Sequence, residues 1–302
     1  IIVSDPFVME RVGNATGIPL HLSTQMSVMN SALCNFWIEQ GISRIILARE
    51  LTMEELVMIR NNTDCELEVF VHGGMCSAYS GRCRLSEIMT GRDANLGDCA
   101  HSCRWEYTLS DKDEIISRDF KIASSDLESL HEIARLMETR IDSLKIEGRM
   151  KSVHYVSIVT GMYRHLVDDI ASGKKVDFAQ YQKWLARVET RPSHAGFLVN
   201  GHGEGMQIYE NGGSNPEQNF CGIVIASDCE KGTLVEERNR FLRGETLELF
   251  GPEGRKAVFR VDRIIDASTG EELEEANHPK QRIYLDIPGE TKPYDIVRRL
   301  DV

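Results

Sequence analysis

The sequence predicts an α/β protein: a (β/α) TIM-like barrel, N-terminally incomplete, followed by a small C-terminal β-barrel domain. Three observations carry that expectation. Short runs rich in Ile, Val and Leu alternate with segments of helical spacing through the first half, the pattern of parallel strands joined by helical crossovers. Polar residues cluster just after those runs, where barrels collect their chemistry. Beyond about His194 the texture changes to glycine turns and alternating strands, as in GTLVEERNRFLRGETLELFGPEG, which indicates antiparallel structure.

Strands are expected at residues 1–3, 18–22, 44–48, 67–71 and 143–146. The intervening helices are expected at 28–40, 52–61 and 125–139, the last capped by Ser124 and Ser125 ahead of its apolar periodicity. Five strands would complete an open doubly wound sheet, whereas an eight-stranded barrel needs about three more. The chain opens on IIVSDP, without an initiator Met and already in a strand pattern, which favours a barrel lacking its first strands. A long helix is expected over 152–171, then a charged stretch that ends at Pro192. The resulting division is a barrel portion over 1–165, a helical connector over 166–192 and a β-barrel domain over 193–302.

At 302 residues, with 41% apolar and 27% charged residues, the chain can bury a sizeable core. No apolar run approaches a membrane span, so no membrane partner and a cytoplasmic location are expected. The net charge of −12 excludes wholesale nucleic-acid binding through an electropositive surface, though a local basic patch can still dock RNA.

Four of the eight cysteines, Cys76, Cys83, Cys99 and Cys103, fall in one segment with spacing C-x6-C-x15-C-x3-C. A disulfide framework is not needed in a chain of this size without a secretion signal. The segment lacks the paired C-x2-C knuckles of zinc ribbons. Thiolates from irregular loops also hold iron–sulfur clusters, so the spacing leaves zinc, iron–sulfur and unliganded core cysteines open. Cys34, Cys65, Cys221 and Cys229 lie in apolar or strand contexts and read as small core residues.

The strings EVFVHGGMCSAYSGRCRLS, GRDANLGDCAHSCRW and SLKIEGRMKS, with HLSTQMSVMN and RIILARELTMEE upstream and GETLELFGPEG and KPYDIVRRL downstream, resemble the collagenase-like peptidase family U32 across essentially the whole chain. Members with an assigned reaction are oxygen-independent hydroxylases of tRNA, ribosomal RNA or the ubiquinone ring. The resemblance therefore implies a four-iron, four-sulfur cluster, with Cys76, Cys83 and Cys99 on the first three ligand positions and Cys103 inferred as the fourth from the CRWEY context. That branch is similar to the enzymes forming 5-hydroxyuridine at the tRNA wobble position. It implies tRNA as partner and prephenate, a small carboxylate, as oxygen donor; a homodimer is left open.

The remaining candidates follow from position. Arg49, Lys145 and Arg149 stand at strand ends and can bind donor carboxylates, Arg in fork geometry. His72 and Glu147 can move protons, and His21 shares the same rim. Structural alternatives accompany each: rim histidines bonded to backbone, and ion pairs of Arg49 with Glu50 and Lys145 with Glu147. For RNA, Arg82 and Arg104, with Arg84 and Arg92, surround Tyr79, Trp105 and Tyr107, which can stack on an unstacked base, although four nearby acids cancel their charge.

Two other functions compete. A U32-type peptidase needs a nucleophile with its base, an acid pair or a catalytic metal. The chain has no H-E-x-x-H, since HEIAR carries Arg135 in place of the second His, and no G-x-S-x-G. A Cys76–His72 pair can be drawn, but a thiolate bound to a cluster is not available as a nucleophile. A non-enzymatic scaffold held by zinc is the other alternative.

Overall fold

The computed structural model describes residues 1–112, 114–188, 191–199, 206–208, 220–228, 231–251 and 255–300. Cys229 lies outside the described residues. The chain forms two compact units. Ile1–Ser152, Met162–Leu185 and Thr190–Ser214 make the first, and Val153–Gly161, Ala186–Glu189 and Asn215–Val302 the second.

The first unit begins with β1 (Ile2–Val3), α1 (Pro6–Thr16), β2 (Leu20–Leu22), α2 (Ser31–Glu39), β3 (Ile42–Ile46), α3 (Met53–Asn61) and β4 (Glu66–Gly73). Each helix starts where its sequence satisfies the free N–H groups. Asp5 accepts from Val8 N at 2.9 Å and Asn30 accepts from Leu33 N at 2.9 Å. Thr52 and Glu55 close a reciprocal capping box at the head of α3.

The cysteine segment follows β4 and contains α4 (Leu85–Thr90). A hairpin of β5 (Tyr107–Asp111) and β6 (Glu114–Phe120) leads into β7 (Ala123–Ser124), β8 (Asp126–Glu128), α5 (Ile133–Glu138) and β9 (Ser143–Ile146). After α6 (Val153–Ala171) and α7 (Phe178–Leu185), the short strands β10 (Ser193–His194) and β11 (Gln207–Ile208) complete the unit.

Strands β1, β2, β3, β4 and β9 pair in that order, all parallel. The order follows the chain without the reversal that defines a doubly wound switch point. All five strands expected from sequence are present. Among the described residues the sheet is not closed, since β1 pairs with β2 alone.

Two expectations differ from the structure. The helix expected over 125–139 is instead strand β8 followed by the short α5. Ser124 and Ser125 do not cap; both hydroxyls donate to Met206 O, at 3.3 and 2.8 Å, and Ser125 N donates to the same oxygen at 2.7 Å. Asp126 N donates to Pro192 O at 2.9 Å, and β8 runs antiparallel to β4 at His72 and Gly73. Partners distant in sequence thus claim this backbone, and helical periodicity takes over only where Ile133 and Leu136 are buried. The second difference is the start of the β domain. Residues 193–208 supply β10 and β11 to the first unit, where they pair with β8 and β7.

The second unit carries an antiparallel sheet built from β12 (Phe220–Asp228), β13 (Gly232–Glu237), β15 (Thr246–Phe250), β16 (Lys256–Arg260), β17 (Ile264–Asp266), β18 (Glu272–Leu273), β20 (Arg282–Leu285) and β21 (Ile296–Arg299). A separate pair joins β14 (Phe241–Leu242) to β19 (Glu275–Ala276). Its core gathers Val224, Val235, Phe241, Leu247, Ile264 and Val297. Arg298 pairs with Glu248 at 2.5 Å, both buried, and the half-buried Arg255 pairs with the buried Asp295 at 3.0 Å. Among the described residues no helix is long and apolar enough to cross a membrane.

Candidate functional site

Parallel strands align their C-terminal ends, so the residues just beyond each strand converge on one side of the sheet. Here they open onto a cavity of about 680 Å³, reached by Ser4 after β1, Ser23 after β2, Arg49 after β3, Cys76 after β4 and Glu147 after β9. A cavity of this size accommodates a small-molecule ligand. Ile46 and Phe70, which line it, belong to a core cluster with Met75, Leu127 and Met206.

The cysteine segment forms the opposite wall. Cys76, Cys83, Cys99 and Cys103 all line the cavity, and all are free thiols. Specific hydrogen bonds tie this irregular backbone to the strand ends. Glu50 accepts from Ser80 N at 2.5 Å and from its hydroxyl at 2.7 Å, and Arg82 Nε donates to Gln25 O at 2.6 Å. Gln25 Nε2 donates to Asn95 O at 3.4 Å, and Asn95 Nδ2 to Cys83 O at 3.3 Å. Arg149 Nη2 donates to Gly97 O at 2.5 Å.

Burial pushes the Cys76 thiol up, and the neighbouring Cys83 and Cys103 add to that rise, while the Ala78 backbone N–H and Arg49 oppose it. Cys99, exposed, accepts the His101 N–H at 3.4 Å. Four thiols, the residue type that binds metal clusters, thus line one space from irregular backbone, without being drawn together. Among the described residues no three His, Cys, Asp or Glu side chains are gathered for a single metal ion.

Arg49, Lys145, Glu147 and Arg149 also line the cavity. The Arg49 guanidinium stacks on Phe70, 4.0 Å from the ring centroid, and its buried Nε has no hydrogen-bond partner among the described residues. Burial lowers its pKa from the ordinary arginine value, against the attraction of Cys76, Glu147 and Glu50. Lys145 Nζ pairs with Glu68 at 2.8 Å and lies 5.2 Å from the same Phe70 ring. The expected structural partners are thus replaced: Glu50 holds Ser80 rather than Arg49, and Lys145 holds Glu68 rather than Glu147. Glu147 accepts the Arg149 N–H at 3.0 Å.

Four sequence candidates stand outside the cavity lining. His72 is buried, its Nδ1 3.1 Å from Tyr163 Oη. Tyr163 donates its one proton to Val71 O at 3.1 Å, which makes Nδ1–H the donor to the phenol oxygen. A bulge explains the placement. Phe70 pairs with Lys145 and His72 with Ile146, two positions on β4 against one on β9, so side-chain alternation slips and His72 turns away from the face Phe70 presents. His21 lies on β2 opposite Arg44, lowered in pKa by burial and then by Arg44. Arg82 is the tether to Gln25 already described. Arg104 sits beside Gly74 with Arg191 and Asp126, its pKa lowered by burial and then by Arg191.

Beside Arg104, outside the cavity lining, lies Asp126. It is buried, pairs with Arg191, and lies 3.5 Å from Lys151 Nζ. Its partners lie 65 and 25 positions downstream, so no local pattern announces it. Around the loops, Arg84 pairs with Glu87 at 2.7 Å and Arg92 with Asp98 at 2.7 Å, while Tyr107 Oη donates to Ser102 O at 2.7 Å. Tyr79 and Trp105 remain exposed.

Residues 1–207 match the model of peptidase family U32, and residues 216–298 that of the peptidase family U32 C-terminal domain. The chain is similar to tRNA hydroxylation protein P1 of Bacillus subtilis (strain 168), 35% identical over 99% of this chain and 74% of that protein. It is likewise similar to tRNA hydroxylation protein P of Escherichia coli (strain K12), 32% identical over 95% of this chain and 74% of that protein. A third relative, the 23S rRNA 5-hydroxycytidine C2501 synthase of the same strain, is 37% identical over 56% of this chain and 26% of that protein. Two family models covering most of its length, and relatives at 32–35% identity over 95–99% of this chain, place it in peptidase family U32.

Proposed function

We propose that the protein is an iron–sulfur-dependent, oxygen-independent RNA hydroxylase that forms 5-hydroxyuridine at the wobble position of tRNA. The carrying observation is the convergence of four free thiols and two arginines on one cavity at the strand ends. The names of the relatives, two tRNA hydroxylation proteins and an rRNA hydroxycytidine synthase, support RNA as the substrate class. In this reading the parallel sheet is part of a (β/α) barrel working in the cytoplasm.

Cys76, Cys83, Cys99 and Cys103 would hold a four-iron, four-sulfur cluster, which supplies electron transfer beside the oxygen donor. Arg49, stacked on Phe70 with an open Nε–H, binds and orients a carboxylate of a donor such as prephenate. Arg149 fixes the Gly97 end of the cysteine segment and, through its N–H, the Glu147 carboxylate. Glu147, facing the cavity, holds or takes a proton at its carboxylate oxygen. Lys145 neutralises Glu68 and keeps that wall positive. His72 serves the sheet through Tyr163 rather than the reaction. A proteolytic reading gains nothing from this geometry, because the Cys76–His72 pair it would use is split by the β4 bulge.

The test is anaerobic purification with metal and sulfide analysis and a visible spectrum. The proposal expects about four irons and four sulfides per chain and broad visible absorption, lost in Cys76→Ala and in Cys103→Ala. Stoichiometric zinc without iron would overturn the redox chemistry and leave a zinc-held scaffold.

A further inference from the structure

Outside the cavity lining, two arginines converge on Gly74, the residue after β4. Arg104 stands in the cysteine segment and Arg191 shortly before β10. A Cβ on Gly74 would lie 3.4 Å from Arg104 Nη2, 3.7 Å from Arg191 Nη2 and 4.0 Å from Asp126 Oδ1. One point in space is therefore within van der Waals reach of both guanidinium tips. Their partners differ. Arg191 pairs with Asp126 and donates to Ser124 O at 3.5 Å, while Lys151 Nζ lies 3.5 Å from the other Asp126 oxygen. Asp126 is buried, so one carboxylate is already shared by two cations. Arg104 is half-buried, and its guanidinium makes no hydrogen bond or ion pair with a described residue. Three cations thus surround one acid. Like charges held together away from bulk water are unfavourable unless an anion joins them. A phosphate suits that role, since its charged oxygens accept the charge-assisted hydrogen bonds that guanidinium groups donate.

We propose that Arg104 and Arg191 form a phosphate site that takes one backbone phosphodiester of the bound RNA. The order of the chain favours a strand over a free ion. Cys103, just before Arg104, lines the cavity, and Trp105, just after it, is an exposed ring. A nucleotide that presents its base to the cavity keeps its backbone outside, where a phosphate contact fixes the register of the strand. The inference rests on the RNA hydroxylase reading and adds to it a residue, Arg191, that comes from outside the cysteine segment.

The experiment measures binding of unfractionated tRNA to the anaerobically purified protein over a series of KCl concentrations. Arg104→Gln and Arg191→Gln should each weaken binding roughly 10-fold. The double variant should flatten the plot of log K against log[KCl] by about 0.7, the share of one phosphate on a single strand. Arg191→Lys keeps the charge beside Asp126 and should hold the wild-type slope. Arg104→Gln takes no partner from another side chain, so it tests the site even where Arg191→Gln folds poorly. Wild-type affinity in Arg104→Gln with a wild-type slope in the double variant overturns the proposal. Loss of metal from Arg104→Gln with unchanged tRNA binding does so too, by making Arg104 a support for Cys103. Inorganic phosphate that raises Tm in wild type but not in Arg104→Gln, with equal tRNA binding by both, gives the site to a free ion and overturns the strand as occupant. A wild type that binds no tRNA sinks the hydroxylase reading itself, and the phosphodiester with it.

Discussion

Arg49 owes its character to a neighbour on the adjacent strand. Phe70 on β4 offers an aromatic face to the guanidinium, which holds the planar group in the cavity wall without consuming its Nε–H. An ammonium keeps the charge but not the fork, so Arg49→Lys should raise KM for the oxygen donor by roughly 10–100-fold, the equivalent of one charge-assisted hydrogen bond. Steady-state kinetics on the anaerobic enzyme check this; an unchanged KM would remove Arg49 from the binding role. His72 yields a prediction about stability. Burial is the main cause that lowers its pKa from 6.5 to about 4. The unfolded chain therefore binds the extra proton between those values, so stability is intact above pH 6.5 and falls as pH drops towards 4, by about 3 kcal/mol if the whole window is traversed. His154, buried in the second unit against Phe220 and lowered to about 4 by burial, acts with the same sign. Urea midpoints across this range should decline with acidity, and less steeply in His72→Asn, whose amide can still donate to Tyr163.

At the level of elements, the end of β4 decides where the chain turns into the cysteine segment. Gly73 has φ of 104°, and a Cβ there would collide with the Glu147 carbonyl, the residue whose N–H bonds His72 O at 2.8 Å. Gly73→Ala should therefore cost at least ~1–3 kcal/mol and loosen Glu147 from the cavity wall; differential scanning calorimetry reads the loss, and an unchanged Tm would contradict this account of the turn. The five parallel strands were legible because each is a short run rich in Ile, Val or Leu set between segments of helical spacing. The element over 125–139 was misread for the opposite reason: Ser124 and Ser125 look like caps locally, but their hydrogen-bond partner, Met206, lies some eighty residues away. The cavity residues after β3 and β9 were legible by position alone. His72 was not, because one extra residue in β4 inverts the face to which alternation assigns it.

Over the whole molecule, the balance of charge bears on how an RNA would be held. The net charge is −12, and Arg84 and Arg92 beside the cysteines are each paired with an acid. Few cations are left there to release counterions, which points to recognition by stacking and shape more than by a phosphate track. Trp105, 42% exposed and two positions from Cys103, is with Tyr79 an exposed aromatic on which an unstacked base can stack. Trp105→Ala should weaken tRNA binding by about 1–3 kcal/mol while leaving the salt dependence as it was; filter binding at several salt concentrations measures both, and a lost salt slope would show that the variant harms electrostatics instead. Each unit has its own core, and the cavity with its thiols lies in the first. On the proposed function, those thiols are required for hydroxylation of tRNA. The most direct measurement is mass spectrometry of tRNA nucleosides from cells lacking the gene, complemented with wild type or with Cys76→Ala. Hydroxyuridine restored by wild type and absent with Cys76→Ala is the predicted result; the same level in all strains, or full restoration by Cys76→Ala, would contradict it.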